Sequence, residues 1–397
     1  MSARSGRFPL MDSLRAIAAL AIVTYHIAPY AGALRSKFTT DLAAQFSTGV
    51  ALFFLISGFL LYRPFVIAHA TGEPFPSVRA YAWRRFLRIV PAYWAALTVF
   101  GLFIADEVFD RPLLFYGFAQ IYSPGHVFDG IPLAWTLCIE VTFYAFLPVW
   151  ALALRGLARS GRWSIWRVEA LAIAGLFVFG LGWRALALHV QVAWINTSLN
   201  TLPAYLAWFA VGMGLAITSG WLGEGAPRPA VVRFVERAPG VCWAAAAAAL
   251  AANAWVWHRR YLGGGHSDAN LMAVHVTELV CALGMILPGV FAEGGRGLVR
   301  SLLAWPGLLW MGMVSYGIYL WQAATIRGLA DLTPLPGSFD DATLWWIPFG
   351  FGACIAAGAL SWYLIERPFM LLRRLVPQRP SRAIPSGADA AAARVAP

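Results

Sequence analysis

The stretch LMDSLRAIAALAIVTYHI, residues 10–27, decides the class of the fold. Ala, Ile, Leu and Val dominate it, and its length is close to the roughly 20 residues that a helix needs to cross a bilayer. Arg4 and Arg7 precede it, as in a signal peptide, but Arg15 lies inside the apolar stretch and many similar stretches follow. We therefore interpret it as a retained first transmembrane helix.

The rest of the chain repeats this pattern. Of its 397 residues, 60% are hydrophobic and only 12% are charged, whereas about a quarter of the residues in a soluble protein are charged. Apolar stretches of spanning length lie near residues 10–30, 47–67, 88–106, 133–154, 167–188, 198–219, 241–257, 271–292, 306–326 and 343–366. The sequence therefore predicts an all-α membrane protein, a polytopic bundle of about ten transmembrane helices.

The positions of Lys and Arg predict the orientation of the bundle. With the N-terminus in the cytoplasm, 22 of the 30 basic residues fall in cytoplasmic segments, 7 fall on the outer side and Arg15 lies within the membrane. Basic residues concentrate on the cytoplasmic side of membrane proteins, so both termini are expected to be cytoplasmic. This spread also accounts for the net charge of +11 without a nucleic acid partner.

Two further features concern the domain organisation. The four cysteines, Cys138, Cys242, Cys281 and Cys354, all fall in predicted spans, which favours packing over disulfides, and no zinc-type pairing appears, so no metal is expected. Residues 1–370 are expected to form one membrane domain. Residues 371–397 are rich in Pro, Ala and Ser, which predicts a disordered cytoplasmic tail.

Arg15 and His26 are ionisable residues inside the first span. Such residues cost several kcal/mol in a bilayer unless they are paired or face a polar cavity. Their separation of eleven residues is close to three helical turns, which places both on one face, about 16 Å apart along the axis. Either Arg15 snorkels to the interface while His26 bonds to a backbone carbonyl, or His26 is a base reached from the cytoplasmic side.

A cluster of arginines, Arg84, Arg85 and Arg88, comes just before the third predicted span. Arg85 and Arg88 are three residues apart, so a helix presents them together. Arginines at this position are common as determinants of topology. The alternative is a docking site for an anionic cytosolic donor, because the guanidinium fork binds phosphate through two hydrogen bonds.

The segment AWTLCIEVTFYAFLP, residues 134–148, places Glu140 inside a span, on the same helical stripe as Thr136 and Tyr144. Glu140 needs a partner there, and His26 or an arginine would serve. A carboxylate bonded to His26 would orient the ring and stabilise its protonated form. The alternative is a purely structural hydrogen bond within the membrane.

The segment GMVSYGIYLWQ, residues 312–322, forms a polar strip at helical spacing with Ser315, Tyr316, Tyr319 and Gln322. This strip suits either the wall of a tunnel or a helix–helix contact of small and polar residues. Further along the chain, Glu366 and Arg367 lie at the end of the last span and are predicted to form an interfacial anchor.

These features together resemble the membrane acyltransferase-3 family of bacterial integral-membrane O-acyltransferases. The matching motifs occur in the family's order over about residues 8–370: Arg15 with His26, FFLISGFLL (53–61), Arg85 and Arg88 followed by IVPAYW, WTLCIEVTFYAFLP (135–148), SYGIYLW (315–321) and IERPF (365–369). The chain departs from the family at Gln322, where members often have a histidine, and at WTL (135–137), where the family has WSL. It is expected to be a stand-alone form without an appended esterase-like domain.

The resemblance implies a reaction and its participants. It implies transfer of an acetyl or short acyl group, with acyl-CoA as a cytosolic co-substrate rather than a permanently bound cofactor. The acceptor is expected to be a hydroxyl-bearing glycan, a lipid-linked sugar or a glycosylated metabolite, and the location is expected to be the bacterial inner membrane, in contact with lipid. A proton-coupled transporter or flippase of a sugar-like substrate is the alternative.

Candidate roles follow from the resemblance and from the residues themselves. The predicted catalytic residues are His26, Glu140 and Arg15: His26 is expected to be the base, Glu140 to orient it or balance its charge, and Arg15 to lie near the CoA phosphates. Arg84, Arg85 or Arg88 are expected to hold the phosphates of CoA. The substrate cavity is expected to include Trp135, Tyr144, Ser315, Tyr316, Tyr319 and Gln322, and the aromatic residues Trp135, Tyr144, Tyr316 and Tyr319 are candidates for a hydrogen bond to the developing oxyanion.

Overall fold

The computed structural model describes residues 8–33, 36–71, 74–158, 164–190, 197–223, 227–257, 267–292, 297–332 and 345–376. Within these ranges all regular secondary structure is helical, which confirms the all-α fold class. Of the predicted tail, residues 371–376 belong to the end of the last helical segment. The remainder, residues 377–397, lies outside the described residues.

Ten long helical segments coincide with the ten predicted spans. They are α1 (Leu10–Ile27), α2 (Gly49–Thr71), α3 (Val78–Phe103), α4 (Ala134–Ala158), α5 (Ile165–His189), α6 (Leu202–Gly223), α7 (Pro239–Trp255), α8 (Asp268–Phe291), α9 (Pro306–Leu332) and α10 (Phe351–Ser361). Two π-helical turns, Trp346–Gly350 and Trp362–Glu366, flank α10, and Arg367–Leu371 continues it.

Eight segments are long and apolar enough to cross a membrane. The two others are α7, which has 17 residues, and α9, which has 27 residues. The α9 helix is long enough, but its Ser, Tyr and Gln side chains make it less apolar. The chain is thus a multi-pass membrane protein, and large apolar side chains such as Phe103, Val178 and Leu364 remain exposed on its surface, as expected for lipid-facing positions.

The α3 helix begins earlier than predicted. It starts at Val78, and the Ser77 side chain caps its first turn by accepting a hydrogen bond from the backbone of Ala80. Pro91 lies in the helix interior. Arg84, Arg85 and Arg88 therefore lie within α3 rather than before it.

Small residues set the distances between the central helices. A side chain at Gly212 of α6 would collide with the backbone of Leu55 on α2, and one at Gly312 of α9 would collide with the backbone of Asp12 on α1. Without a hydrophobic driving force between helices in lipid, such close backbone approach is a main source of helix association. It brings α1, α2 and α9 together around one cavity.

Candidate active site

The cavity lies between α1, α2, α4 and α9. It encloses about 480 Å³ of space, part of it open to the outside. Its lining is Arg15, Val50, Phe53, Phe54, Thr136, Leu137, Glu140, Ser315, Tyr316 and Tyr319. Nine of these ten residues belong to the motifs that the sequence singled out, so the structure brings the predicted polar strips of α1, α4 and α9 to one place.

The geometry of His26 fixes which of its nitrogens is the base. Its Nδ1 is 2.8 Å from the backbone oxygen of Ile22. A carbonyl oxygen only accepts hydrogen bonds, so Nδ1 carries the proton and Nε2 of the neutral ring keeps its lone pair. The bond to a backbone carbonyl, which the sequence offered as the structural alternative, thus leaves His26 equipped to accept a proton at Nε2.

Glu140 has a different partner from the one expected. The hydroxyl of Ser57 on α2 donates a hydrogen bond to the Glu140 carboxylate. Among the described residues no hydrogen bond joins Glu140 to His26, whose ring is bonded to Ile22 instead. The α2 helix supplies this partner because Ser57 faces α4, a contact that only the packing of the helices determines.

Arg85 and Arg88 gather with Arg15 at one end of the cavity, which we call the arginine end. The Arg85 guanidinium lies over the ring of Tyr144 at 5.7 Å, and that of Arg88 lies over Trp362 at 5.8 Å. Arg15, Arg85 and Arg88 are close enough to act on one another electrostatically. Three cations in one partly buried place favour an anionic ligand.

Arg84, the remaining arginine of the predicted cluster, makes fewer contacts than Arg85 and Arg88. Arg84 is half-buried, and its electrostatic neighbour is Arg85. The structure gives it no aromatic or carboxylate contact within the described ranges. It therefore stays a predicted member of the donor site.

Glu366 belongs to the arginine end, and its prediction as part of an interfacial anchor is wrong. Only 1% of Glu366 is exposed, Ser361 donates a hydrogen bond to it at 3.2 Å, and Arg88 and Arg15 act on it electrostatically. It ends a π-helical turn, an irregularity frequent at functional sites. Arg367 is exposed, as an anchor requires. The IERPF motif was the signal in the sequence that pointed to this glutamate.

The four hydroxyl groups that line the cavity use their protons in hydrogen bonds within the protein. Tyr316 donates to the Ile89 carbonyl at 2.9 Å, and Ser315 donates to the Gly312 carbonyl at 2.8 Å. Tyr319 and Thr136 bond to each other at 2.6 Å. Both also approach the Leu133 carbonyl, at 3.2 and 3.1 Å, so their two protons serve these internal bonds. These four residues shape the cavity wall.

Three predicted cavity residues, Trp135, Tyr144 and Gln322, do not line the cavity itself. Trp135 packs against Tyr205, with ring centres 5.6 Å apart. Tyr144 lies at the arginine end, and its hydroxyl has no hydrogen-bond partner in the described part of the chain. Tyr144 is thus the tyrosine whose proton is available to a ligand, but at the end of the cavity away from His26.

Gln322 lies next to His26, in a region that we call the histidine end; neither residue lines the cavity itself. Gln322 is fully buried, and its amide nitrogen donates to the Tyr319 carbonyl at 3.0 Å. Gln322 is a close neighbour of the His26 ring. The arginine end and the histidine end are thus about 16 Å apart along α1, the distance from Arg15 to His26.

Charged residues outside this site include a pair that the sequence did not indicate. His69 and Glu169 are buried together, with His69 Nδ1 2.5 Å from the glutamate oxygen. His69 lies beyond the predicted end of the second span, so no signal marked it. No cluster of three or more His, Cys, Asp or Glu residues that suits a metal occurs within the described ranges, and all four cysteines are buried and unpaired.

The structure is a polytopic helical bundle with an arginine, a carboxylate and two tyrosines around an internal cavity, and comparison with known families identifies its class. Residues 9–365 match the family described as "Acyltransferase domain". Because the match covers nearly the whole chain, the chain belongs to this family of membrane acyltransferases.

Relatives whose names indicate a function have low sequence identity to this chain but match most of its length. The chain is 26% identical to nodulation protein 10 of Rhizobium leguminosarum bv. viciae over 93% of this chain and 95% of that protein. It is 28% identical to the exopolysaccharide production protein ExoZ of Rhizobium meliloti over 83% of this chain and 90% of that one. It is 24% identical to the putative peptidoglycan O-acetyltransferase YrhL of Bacillus subtilis over 91% of this chain and 54% of that protein. No solved structure matches the chain.

Proposed function

We propose that the protein transfers an acetyl or other short acyl group from acyl-CoA to a hydroxyl of a glycan, a lipid-linked sugar or a glycosylated metabolite. The observation that carries this proposal concerns one face of α1. Arg15 lies at one end of this face, beside the arginines of α3, and His26, whose Nε2 keeps its lone pair, lies about 16 Å further along it. The names of the relatives, which refer to exopolysaccharide and to peptidoglycan O-acetylation, support a glycan acceptor.

The arginine end is suited to the donor. Arg15, Arg85 and Arg88, joined by Arg84, bind the phosphates of CoA through charge-assisted hydrogen bonds. The hydroxyl of Tyr144 adds a neutral donor beside Arg85. Glu140 and Glu366 balance the positive charge when no donor is bound. With the expected orientation, this end opens toward the cytoplasm, because α1 begins there.

The histidine end is suited to the chemistry. The flexible pantetheine arm separates the thioester of acyl-CoA from its phosphates, so phosphates at the arginine end are compatible with a thioester near His26. Nε2 of His26 takes the proton of the acceptor hydroxyl as that oxygen attacks the thioester carbonyl. The carbon–sulfur bond then breaks, the ester forms, and the imidazolium returns the proton to the leaving thiolate of CoA.

Replacement of His26 by Ala tests the proposal. The purified variant in detergent, with radiolabelled acetyl-CoA and cell-envelope glycans as acceptors, should fold normally and lose transfer of label. The matched control is His189→Ala, because His189 is an exposed histidine at the end of α5. Transfer by His26→Ala at the wild-type rate would show that His26 is not the base. Release of free CoA thiol in detergent also separates an enzyme from a transporter, which leaves its substrate unchanged.

A further inference from the structure

The side-chain amide of Gln322 is hydrogen-bonded at its nitrogen and not at its oxygen. Its side chain is fully buried, and its amide nitrogen is held by the Tyr319 carbonyl, which fixes which side of the amide carries the oxygen. That oxygen, Oε1, is buried and has no hydrogen-bond partner in the described part of the chain. A buried acceptor without a donor is unfavourable by about 1–3 kcal/mol, so its presence calls for a reason.

The neighbour of this oxygen supplies a reason. Gln322 lies beside the ring of His26. In the resting protein the ring offers no proton in that direction, because Nδ1 holds the proton and donates it to Ile22. The buried Oε1 of Gln322 thus lies near the His26 ring without a hydrogen bond from it.

The proposed reaction changes this situation. When His26 takes the proton of the acceptor hydroxyl, Nε2 becomes a donor, and its single N–H is shared between the Gln322 oxygen and the reacting group beside it. A hydrogen bond to a charged group contributes about 1.5–3 kcal/mol. Because the bond forms only as the imidazolium forms, it stabilises the transition state and not the resting state, which is the condition for an increase in kcat.

We propose that Gln322 is a positioning residue of the transfer reaction, which accepts a hydrogen bond from protonated His26 through Oε1. This inference rests on the proposed function of His26 as the base. It gives Gln322 the part that the sequence assigned to Glu140, whose carboxylate is bonded by Ser57 instead. When the thiolate leaves, the same Nε2 proton moves from His26 to sulfur, and Gln322 returns to its unpaired state.

The first experiment replaces Gln322 by Met, which has a similar length and no oxygen. The expected result is a fall in kcat of about ten- to a hundredfold, with the KM for acetyl-CoA unchanged because the arginine end is untouched. Gln120→Met is the matched control. Gln120 is also fully buried, and its Oε1 also has no partner in the described residues, but its amide nitrogen bonds to Tyr93, away from the cavity. The control variant should keep the wild-type kcat.

The second experiment uses Gln322→Glu and the pH dependence of kcat/KM. A carboxylate beside His26 holds the proton on the ring, so the acidic limb of the profile should move to higher pH, whereas in Gln322→Met it should move to lower pH. A merely structural role would lower the rate in both variants without moving the limb in opposite directions, and that result would overturn the inference.

A double-mutant cycle distinguishes the inference from the proposal on which it rests. In the His26→Ala background, Gln322→Met should have no further effect on the residual rate, because Gln322 acts through His26. An equal fall in both backgrounds would overturn the role of Gln322. A wild-type rate in His26→Ala alone would overturn the base assignment, whereas an inactive His26→Ala with a fully active Gln322→Met would overturn only the role of Gln322.

Discussion

Replacement of Glu169 by Gln should destabilise the protein without changing its chemistry. Glu169 and His69 are buried in the bundle, with 0% and 1% of their side chains exposed. His69 Nδ1 is 2.5 Å from the glutamate oxygen, and its Nε2 is 3.2 Å from the Ala151 carbonyl. With Glu169 as a carboxylate, both partners are acceptors and each ring nitrogen donates, so we treat His69 and Glu169 as an ion pair. The hydroxyl of Tyr62 donates to the same carboxylate oxygen at 3.0 Å.

The size of the effect follows from this burial. Removal of one partner of a buried ion pair leaves an uncompensated charge and costs about 3–5 kcal/mol. Glu169→Gln keeps the shape of the side chain and removes its charge, so this loss should appear as a lower Tm of the purified protein in detergent. The pair joins α2, α4 and α5, and it makes no contact with the residues that line the cavity among those the structure describes.

The assay therefore measures stability and transfer separately. The Glu169→Gln variant should unfold at a clearly lower temperature while its transfer rate per folded molecule equals that of the wild type. Tyr62→Phe, which removes a single hydrogen bond from the same carboxylate, is the graded control and should show a smaller fall in Tm. A Tm equal to that of the wild type, or a loss of transfer in a fully stable variant, would refute the interpretation of a structural ion pair.

Two further predictions concern the cavity. The double variant Arg85→Gln and Arg88→Gln should raise the KM for acetyl-CoA, measured by radiolabel transfer, because it removes two cations from the arginine end. The control is Arg79→Gln, at an exposed position on the same helix, which should leave that KM unchanged. An equal KM in all of these proteins would show that the arginines only determine topology. Ser57→Ala removes the donor to the Glu140 carboxylate, and because such a bond contributes about 1.5–3 kcal/mol, kcat/KM should fall about tenfold or more, whereas Ser57→Thr should retain most of it. A wild-type kcat/KM in Ser57→Ala would contradict a functional role of this hydrogen bond.

The helices of the bundle were predictable because their cause is local. A segment in lipid must satisfy its backbone hydrogen bonds within itself, so a long apolar stretch forms a helix whatever its neighbours are. For the same reason the shared face of Arg15 and His26 followed from helical spacing alone. The start of α3 was predicted ten residues too late, because its first turns carry arginines and resemble a loop in composition.

The contents of the site were predictable only in part. Residue type and depth in the membrane marked Arg15, His26 and Glu140, because charged groups in lipid are expensive and rarely without a role. The same reasoning passed over Ser57, whose small hydroxyl lies in an apolar stretch, and it treated Glu366 as a surface anchor. The free hydroxyl of Tyr144 and the internally bonded hydroxyls of Tyr316 and Tyr319 have the same appearance in the sequence.

The sequence by itself thus determined which segments are helical, that they lie in a membrane, and which ionisable residues lie at membrane depth. The tertiary structure decided their surroundings: Ser57 bonds to Glu140, Arg88 acts on Glu366, and Gln322 lies beside His26. The physical reason is that helix formation and burial in lipid depend on each segment alone. The pairing of side chains depends on which helix faces meet, and that is set by close packing at positions such as Gly212 and Gly312.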